Sequence, residues 1–138
     1  MSIKIIINVD GASRGNPGPA AIGVVLKNEK AQLLSSISDS IGIRTNNQAE
    51  YQALIAGLKK AINMGASAVE IRSDSELIVR QMLGIYRVKK QQLIPLHQEA
   101  RRLAGSLASF KIISVSREEN READRLANMA LDKSEKVK

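Results

Sequence analysis

Four acidic residues lie where the sequence predicts that strands and helices begin or end, so their side chains could converge. They are Asp10, Glu50, Asp74 and Asp124. Taken singly, each has an ordinary structural explanation, because aspartate favours turns and helix caps and acidic side chains favour helix N-termini. Taken together, converging carboxylates would repel one another unless a cation neutralised them.

The residue types available for such a site favour a hard cation. Magnesium binds carboxylate oxygens, and two such ions about 4 Å apart can stabilise the attacking and the leaving oxygen of a phosphodiester. The sequence has no cysteine and one histidine, which nearly excludes a zinc site. It also lacks the alternating-aspartate calcium loop and the Gly-Lys-Ser/Thr nucleotide loop. The remaining chemistry is magnesium-assisted phosphoryl chemistry.

The composition predicts one basic, cytoplasmic domain. The 138 residues suffice for a single core, and the net charge of +7 favours polyanions. With only three aromatic residues, recognition by stacking on unpaired bases is disfavoured, and a duplex gripped by its backbone fits better. The absence of cysteine suits a reducing compartment, and no signal peptide or membrane-spanning run is present. No protein partner is evident, and a monomer is expected.

The predicted elements follow the order β-β-β-α-β-α-α-β-α, an α/β fold with helices on both faces of a mixed sheet. Strands are predicted at residues 3–9, 21–27, 32–40, 68–72 and 110–115, and helices at 45–64, 75–83, 93–106 and 120–131. Residues 10–19 are predicted as a loop. The first and fourth strands should be parallel neighbours, so that Asp10 and Asp74 follow their carboxyl ends.

Several helix ends are also predicted. Thr45 and Gln48 fit a capping box, Ser73 or Asp74 should lie near the cap of the second helix, and Asn120 should cap the last one. The domain is expected to span residues 1–132. Residues 133–138 are predicted to form a flexible tail.

Four segments resemble, in order and spacing, the motifs of type 1 ribonuclease H. They read DGASRGNPG at 10–18, TNNQAE at 45–50, SDS at 73–75 and NREADRLA at 120–127. The resemblance implies a five-stranded mixed sheet and a nuclease that cuts the RNA strand of an RNA–DNA hybrid, leaving 5′-phosphate and 3′-hydroxyl ends. It also implies that Asp10, Glu50, Asp74 and Asp124 hold two Mg²⁺ or Mn²⁺ ions as the catalytic and metal-binding residues.

The same resemblance assigns further residues to the substrate. They are Gly11, Ser13, Arg14, Asn16, Thr45, Asn47, Gln48 and Ser75. Along the RNA strand should lie backbone groups of the Gly11–Asn16 loop and the side chains of Asn16, Asn47 and Gln48. Thr45 should contact a phosphate of the DNA strand. For Asn16 and Asn47, turn and cap chemistry is an equally good explanation.

The sequence departs from the well-known bacterial members in two places. The loop before the last helix has no histidine, and we hypothesise that Arg117 or Glu119 reaches toward the scissile phosphate instead. His97 lies in an apolar helical pattern and is interpreted as a structural or surface residue rather than a catalytic one. Many members also insert a basic, tryptophan-rich arm after the helix that follows Asp74, and here this arm is missing or reduced to a stub. Arg87, Lys89 and Lys90 would then supply part of the phosphate contact, unless they form only a solvated turn.

Two other functions remain open. One is a hybrid- or duplex-binding module that has lost catalysis, although a pure phosphate binder gains nothing from clustered negative charge. The other is a different nuclease of the same fold. The opening loop and the Asn/Gln segment before Glu50 favour the enzyme that cuts hybrids.

Overall fold

The computed structural model describes residues 3–136 and has the predicted order of elements. The strands are β1 (Lys4–Ser13), β2 (Gly18–Lys27), β3 (Leu33–Arg44), β4 (Ala68–Ser73) and β5 (Ser109–Ser114). The helices are α1 (Asn46–Asn63), α2 (Glu76–Met82), α3 (Ile94–Gly105) and α4 (Arg121–Lys136), with a 3-10 turn at Glu118–Asn120. The α/β class and the five-stranded sheet are therefore confirmed.

The sheet has the strand order β3-β2-β1-β4-β5. β1 pairs with β4 in parallel, β4 with β5 in parallel, and the remaining pairs are antiparallel. The parallel pairing of β1 with β4 ends at Val9 and Ser73. Asp10 and Asp74 are the next residues of the two chain segments, which places both acids at one edge of the sheet.

Helices cover both faces of this sheet. Gly23 and Val24 are consecutive in β2 and therefore point to opposite faces. A side chain at Gly23 would meet the Ala123 carbonyl oxygen at 1.9 Å, so α4 packs directly on that face. A side chain at Gly57 of α1 would lie 3.3 Å from Val24 on the other face. The main core lies between the sheet and α1.

The first hairpin is longer than predicted. β1 continues through Ser13, which pairs with Ala20, and the loop predicted for residues 10–19 shrinks to 14–17. Glycine and serine in this segment suggest a loop on local grounds. Pairing with β2 outweighs that preference, because strand formation depends mainly on the neighbouring strand.

Two predictions of helix ends are confirmed. The Thr45–Gln48 capping box is present. Ser75 caps helix α2, so Ser73 and Asp74 lie near that cap. Asn120 directly precedes α4, at the predicted cap position. Its buried side chain donates to the Val9 carbonyl oxygen at 2.8 Å and accepts from Asn8, because a buried amide must satisfy its hydrogen bonds where partners lie.

The C-terminal helix extends beyond its predicted end. α4 continues to Lys136, so residues 133–136 of the predicted tail are helical, and residues 137–138 lie outside the described part of the chain. Arg14 holds this end of the helix through ion pairs with Asp132 at 2.7 Å and Glu135 at 2.8 Å. Within residues 3–136, no helix has the length and apolar character needed to cross a membrane.

Candidate active site

The four predicted acids line one cavity of about 280 Å³. Asp10 lies within β1 and Asp74 directly after β4, while Glu50 lies near the start of α1 and Asp124 near the start of α4. Carboxylate oxygens of Asp10, Glu50 and Asp74 lie within 4.8 Å of one another. Asp124 is the exposed member of the set. Residues from four separate elements thus converge.

A close approach of α1 to β1 brings Glu50 to the cavity. A side chain at Gly11 would lie 2.2 Å from the Ala49 carbonyl carbon and 2.3 Å from the Glu50 nitrogen, so only glycine fits there. The Gly11 N–H donates a hydrogen bond to the Glu50 carboxylate. Gly11 therefore allows α1 to pack closely against β1, and its N–H also orients the Glu50 carboxylate.

The acids raise one another's pKa values. Burial, and then the charges of Glu50, Asp74 and Asp124, raise the pKa of Asp10 from 3.8 to about 9. Burial also raises the pKa of Glu50, against the opposing effect of the Gly11 N–H. For Asp74, burial raises the pKa and the charge of Arg117 lowers it. Such crowding of carboxylates is relieved by a divalent cation, and this all-oxygen donor set suits magnesium or manganese.

The chain resembles known proteins over nearly its whole length. The family model described as reverse transcriptase-like matches residues 8–130. A bifunctional protein of Mycobacterium tuberculosis is 44% identical over 131 residues, which cover 94% of this chain and 36% of that protein. Ribonuclease HI of Halobacterium salinarum is 45% identical over 123 residues, covering 89% of this chain and 62% of that protein.

A solved structure supports the same relationship. LC11-RNase H1, solved in complex with an RNA/DNA hybrid, superposes with a TM-score of 0.89 at 43% identity, covering 94% of this chain and 98% of that one. The chain belongs to the ribonuclease H family. The chain spans only 36% of the length of the Mycobacterium tuberculosis protein and 62% of the length of the Halobacterium salinarum protein.

In this ribonuclease H-type site, Arg117 and Glu119 differ in their surroundings. Arg117 lines the acidic cavity. The Glu119 carboxylate instead accepts hydrogen bonds from the Ser116 main-chain nitrogen at 3.2 Å and from its hydroxyl at 3.0 Å. Glu119 lines a different cavity, beside Lys27 and Arg72. Of the two residues considered in place of the missing histidine, the geometry favours Arg117.

Several predicted substrate residues surround a second cavity of about 260 Å³. Its lining includes Asn16, Thr45, Asn47 and Lys90. The Asn16 side-chain oxygen also accepts a hydrogen bond from the Asn46 main-chain nitrogen at 3.1 Å, so it helps to cap α1. Gly11 and Ser75 line the acidic cavity instead. These predicted substrate residues therefore fall into two groups, one at each cavity.

The remaining predicted substrate residues are engaged elsewhere. The Ser13 hydroxyl donates to the Arg44 carbonyl oxygen at 2.9 Å, and the Gln48 side chain accepts from the Thr45 main-chain nitrogen at 2.8 Å. The Arg14 guanidinium pairs with the acids at the end of α4. Lys89 is exposed and is not part of the lining of either cavity.

The structural interpretation of His97 is confirmed. Its Nε2 lies 3.2 Å from the Gln81 carbonyl oxygen. Its ring packs edge-on against the Tyr51 ring, with the two ring centroids 6.0 Å apart. The Tyr51 hydroxyl donates to Gln81 Oε1 at 2.7 Å. These three residues, termed the Tyr51 cluster, form a polar group separate from the residues that line the acidic cavity.

Sequence reasoning missed three asparagines near the acids. Asn46 lines the acidic cavity, and Asn128 donates a hydrogen bond to the Asp124 carboxylate at 3.2 Å. Asn120 ties the start of α4 to β1 and also lowers the pKa of Asp74 by hydrogen bonding. The spacing of Asn128, four residues after Asp124 on a predicted helix, is the one signal that could have revealed such a contact.

Proposed function

We propose that this chain is a metal-dependent endoribonuclease that hydrolyses the RNA strand of RNA–DNA hybrids. The observation that carries the proposal is the convergence of four acids on one cavity, with three carboxylates within 4.8 Å, in a chain of net charge +7. A protein that only bound phosphates would lose affinity through such a cluster. The acids are useful only if cations join them to a phosphodiester.

Asp10, Glu50, Asp74 and Asp124 would hold two Mg²⁺ or Mn²⁺ ions. When bound, such ions supply an activated water and stabilise charge on the leaving 3′ oxygen, which yields 5′-phosphate and 3′-hydroxyl ends. The raised pKa of Asp10 supports this assignment, because without cations the carboxylates favour retention of a proton.

Arg117 would contact the scissile phosphate from the lining of the same cavity. A guanidinium can donate two parallel hydrogen bonds to phosphate oxygens and remains charged at every physiological pH. It therefore orients and neutralises the phosphate without transferring a proton. This role differs from proton transfer by a histidine.

The second cavity would receive the nucleic-acid backbone. Thr45 and Lys90 provide a hydroxyl and an ammonium group for a phosphate of the DNA strand, and Asn16 and Asn47 provide amides for the RNA strand. The 2′-hydroxyl distinguishes RNA from DNA at each nucleotide, and main-chain groups of residues 11–16 could contact it. The hybrid in the LC11-RNase H1 complex supports a substrate of this kind.

A substrate panel tests the proposal. Labelled RNA–DNA hybrid, RNA duplex, DNA duplex and both single strands are incubated with Mg²⁺, with Mn²⁺ or with a chelator. We expect internal cleavage confined to the RNA of the hybrid, and none with chelator. Hybrid binding without cleavage would indicate a binding module, and cleavage of DNA would indicate a different nuclease of this fold.

A further inference from the structure

The four acids of the cavity are held in place to different degrees. Asp10 and Glu50 are each 6% exposed, and Glu50 accepts the Gly11 N–H. Asp74 is half-buried beside Arg117. Asp124 is exposed, and it is not one of the acids whose oxygens lie within 4.8 Å of one another. Asp124 is therefore the most solvent-exposed acid of the cavity, and a side-chain hydrogen bond with Asp10 joins it to the others.

One side chain contacts the Asp124 carboxylate from the next turn of α4. Asn128 Nδ2 lies 3.2 Å from Asp124 Oδ1 and 3.0 Å from the Asp124 carbonyl oxygen. Both partners are acceptors, so the amide must present its NH₂ group here, because its oxygen could bond to neither. The half-buried Asn128 thus ties the carboxylate to its own helix.

We propose that Asn128 is a positioning residue that holds the Asp124 carboxylate toward the cavity and thereby raises the affinity of the site for a divalent cation. This inference rests on the proposed function. An unrestrained aspartate loses rotamer freedom when it binds an ion, whereas a restrained one has already lost it. Loss of a hydrogen-bond partner behind a metal ligand typically weakens metal affinity about 10- to 100-fold.

The amide suits this role better than a charged donor would. Lysine or arginine at this position would form an ion pair with Asp124 and compete with the cation for the carboxylate. Alanine or leucine would leave the carboxylate unrestrained. Asparagine donates a hydrogen bond but leaves the negative charge in place, so Asp124 is oriented and remains a strong ligand.

The test measures Mg²⁺ and Mn²⁺ binding to the full chain by calorimetry, together with the Mg²⁺ concentration that gives half-maximal hybrid cleavage. Asn128→Ala should weaken ion binding about 10-fold and raise the half-maximal concentration similarly, with the rate at saturating Mg²⁺ within about twofold of wild type. Asn128→Gln should restore most of the affinity, because glutamine at this spacing can still donate to the aspartate.

Met129→Ala is the matched control. Met129 is an exposed neighbour on α4 whose sulfur contacts Arg125, so its loss should leave ion binding unchanged. Wild-type affinity in Asn128→Ala, failure of Asn128→Gln to restore it, or an equal loss in Met129→Ala would each overturn the inference. If Asn128→Ala does not fold without metal, Asn128→Leu replaces it, because leucine is similar in size and favours helices.

The outcomes also separate this inference from the function on which it rests. A wild-type chain that binds ions and cuts hybrid, with an alanine variant that binds ions equally well, contradicts only the role of Asn128. A wild-type chain that neither binds ions nor cuts hybrid contradicts both proposals.

Discussion

Two groups of buried and half-buried polar side chains include consecutive residues of α1, Glu50 and Tyr51. In the Tyr51 cluster, the tyrosine hydroxyl donates to Gln81 Oε1 at 2.7 Å, and the His97 ring packs edge-on against Tyr51. In the acidic cavity, Glu50 lies with Asp10 and Asp74, their carboxylate oxygens within 4.8 Å of one another. The first group joins donors to acceptors. The second brings together acceptors of the same charge.

We infer that hydrogen-bond complementarity, rather than burial, separates the polar residues that stabilise this fold from the acids that we propose to be functional. A buried network with matched donors and acceptors stabilises the fold and leaves little capacity for a ligand. A buried group of like charges costs stability and is useful only when something else neutralises it. The two groups should therefore respond in opposite ways to removal of a polar atom.

The largest effect is expected for Asp10→Asn. Loss of one carboxylate should lower hybrid cleavage by about 10³-fold or more, since bound cations contribute several kcal/mol to stabilising the transition state. Hybrid affinity measured with chelator should be retained, because the basic surface is unchanged. Asp39→Asn, at an exposed position on β3, is the control and should cleave at the wild-type rate. Normal cleavage by Asp10→Asn would remove Asp10 from the reaction.

The metal-free protein should become less stable as the pH rises. The folded-state pKa of Asp10, about 9, lies above its ordinary value of 3.8, so between these values the folded chain binds more protons than the unfolded chain. The contribution of Asp10 to stability is therefore fully present below pH 3.8 and is lost as the pH rises toward 9. Asp10→Asn should flatten this dependence and gain about 1 kcal/mol or more at pH 8.

This pH dependence is checked by measuring the unfolding free energy of the wild type and of Asp10→Asn with a chemical denaturant and chelator at several pH values. Mg²⁺ should restore stability to the wild-type chain by binding the folded state, and should restore less to Asp10→Asn. Without metal, the stability that Asp10→Asn gains over the wild type should grow between pH 5 and pH 8; a gain that stays constant would contradict the crowding of carboxylates.

Tyr51→Phe tests the other group. Removal of the hydroxyl leaves buried Gln81 Oε1 without its donor, which should cost about 1–3 kcal/mol of unfolding free energy. The rate of hybrid cleavage should stay close to wild type. Tyr86→Phe, at an exposed tyrosine, is the control and should leave stability unchanged. A large loss of cleavage in folded Tyr51→Phe would mean that the two groups are not independent.

The sequence predicted features that arise from local patterns. The order of elements follows from hydrophobic periodicity, and the capping box at Thr45 follows from a four-residue motif. The parallel pairing of β1 with β4 follows from the β-α-β connection, and it places Asp10 beside Asp74. These features locate the acids at one edge of the sheet.

Features that depend on distant partners could not be read in this way. Asp10 lies inside a strand because β2 pairs with it, and local turn propensity gives no sign of that pairing. Asn120 has the sequence position of a cap, but its partner Val9 is 111 residues away. The C-terminal helix extends past its predicted end, where Arg14 of the first hairpin pairs with Asp132 and Glu135. Each of these depends on tertiary contact.

A smaller effect is expected for Arg117→Ala. Arg117 places a positive charge on the lining of the acidic cavity. A hydrogen bond to a charged group contributes about 1.5–3 kcal/mol, so kcat/KM of Arg117→Ala for the hybrid should fall about 10-fold or more. Arg117→Lys keeps the positive charge and should retain part of the wild-type kcat/KM. Glu119→Ala should match the wild type. Equal losses in Arg117→Ala and Glu119→Ala would reject a specific role for Arg117.

The smallest effect concerns Lys90, which lines the second cavity, while its neighbour Lys89 does not. If Lys90 contacts a phosphate, Lys90→Ala should reduce the slope of log affinity against log salt by about 0.9, since one fewer counterion is released on binding. Lys89→Ala, which removes the same charge one residue away, should keep the wild-type slope. Because both variants carry the same net charge, a change confined to Lys90→Ala separates a phosphate contact from general attraction to a basic protein. Identical slopes in the two variants would indicate that residues 89 and 90 form only a solvated turn.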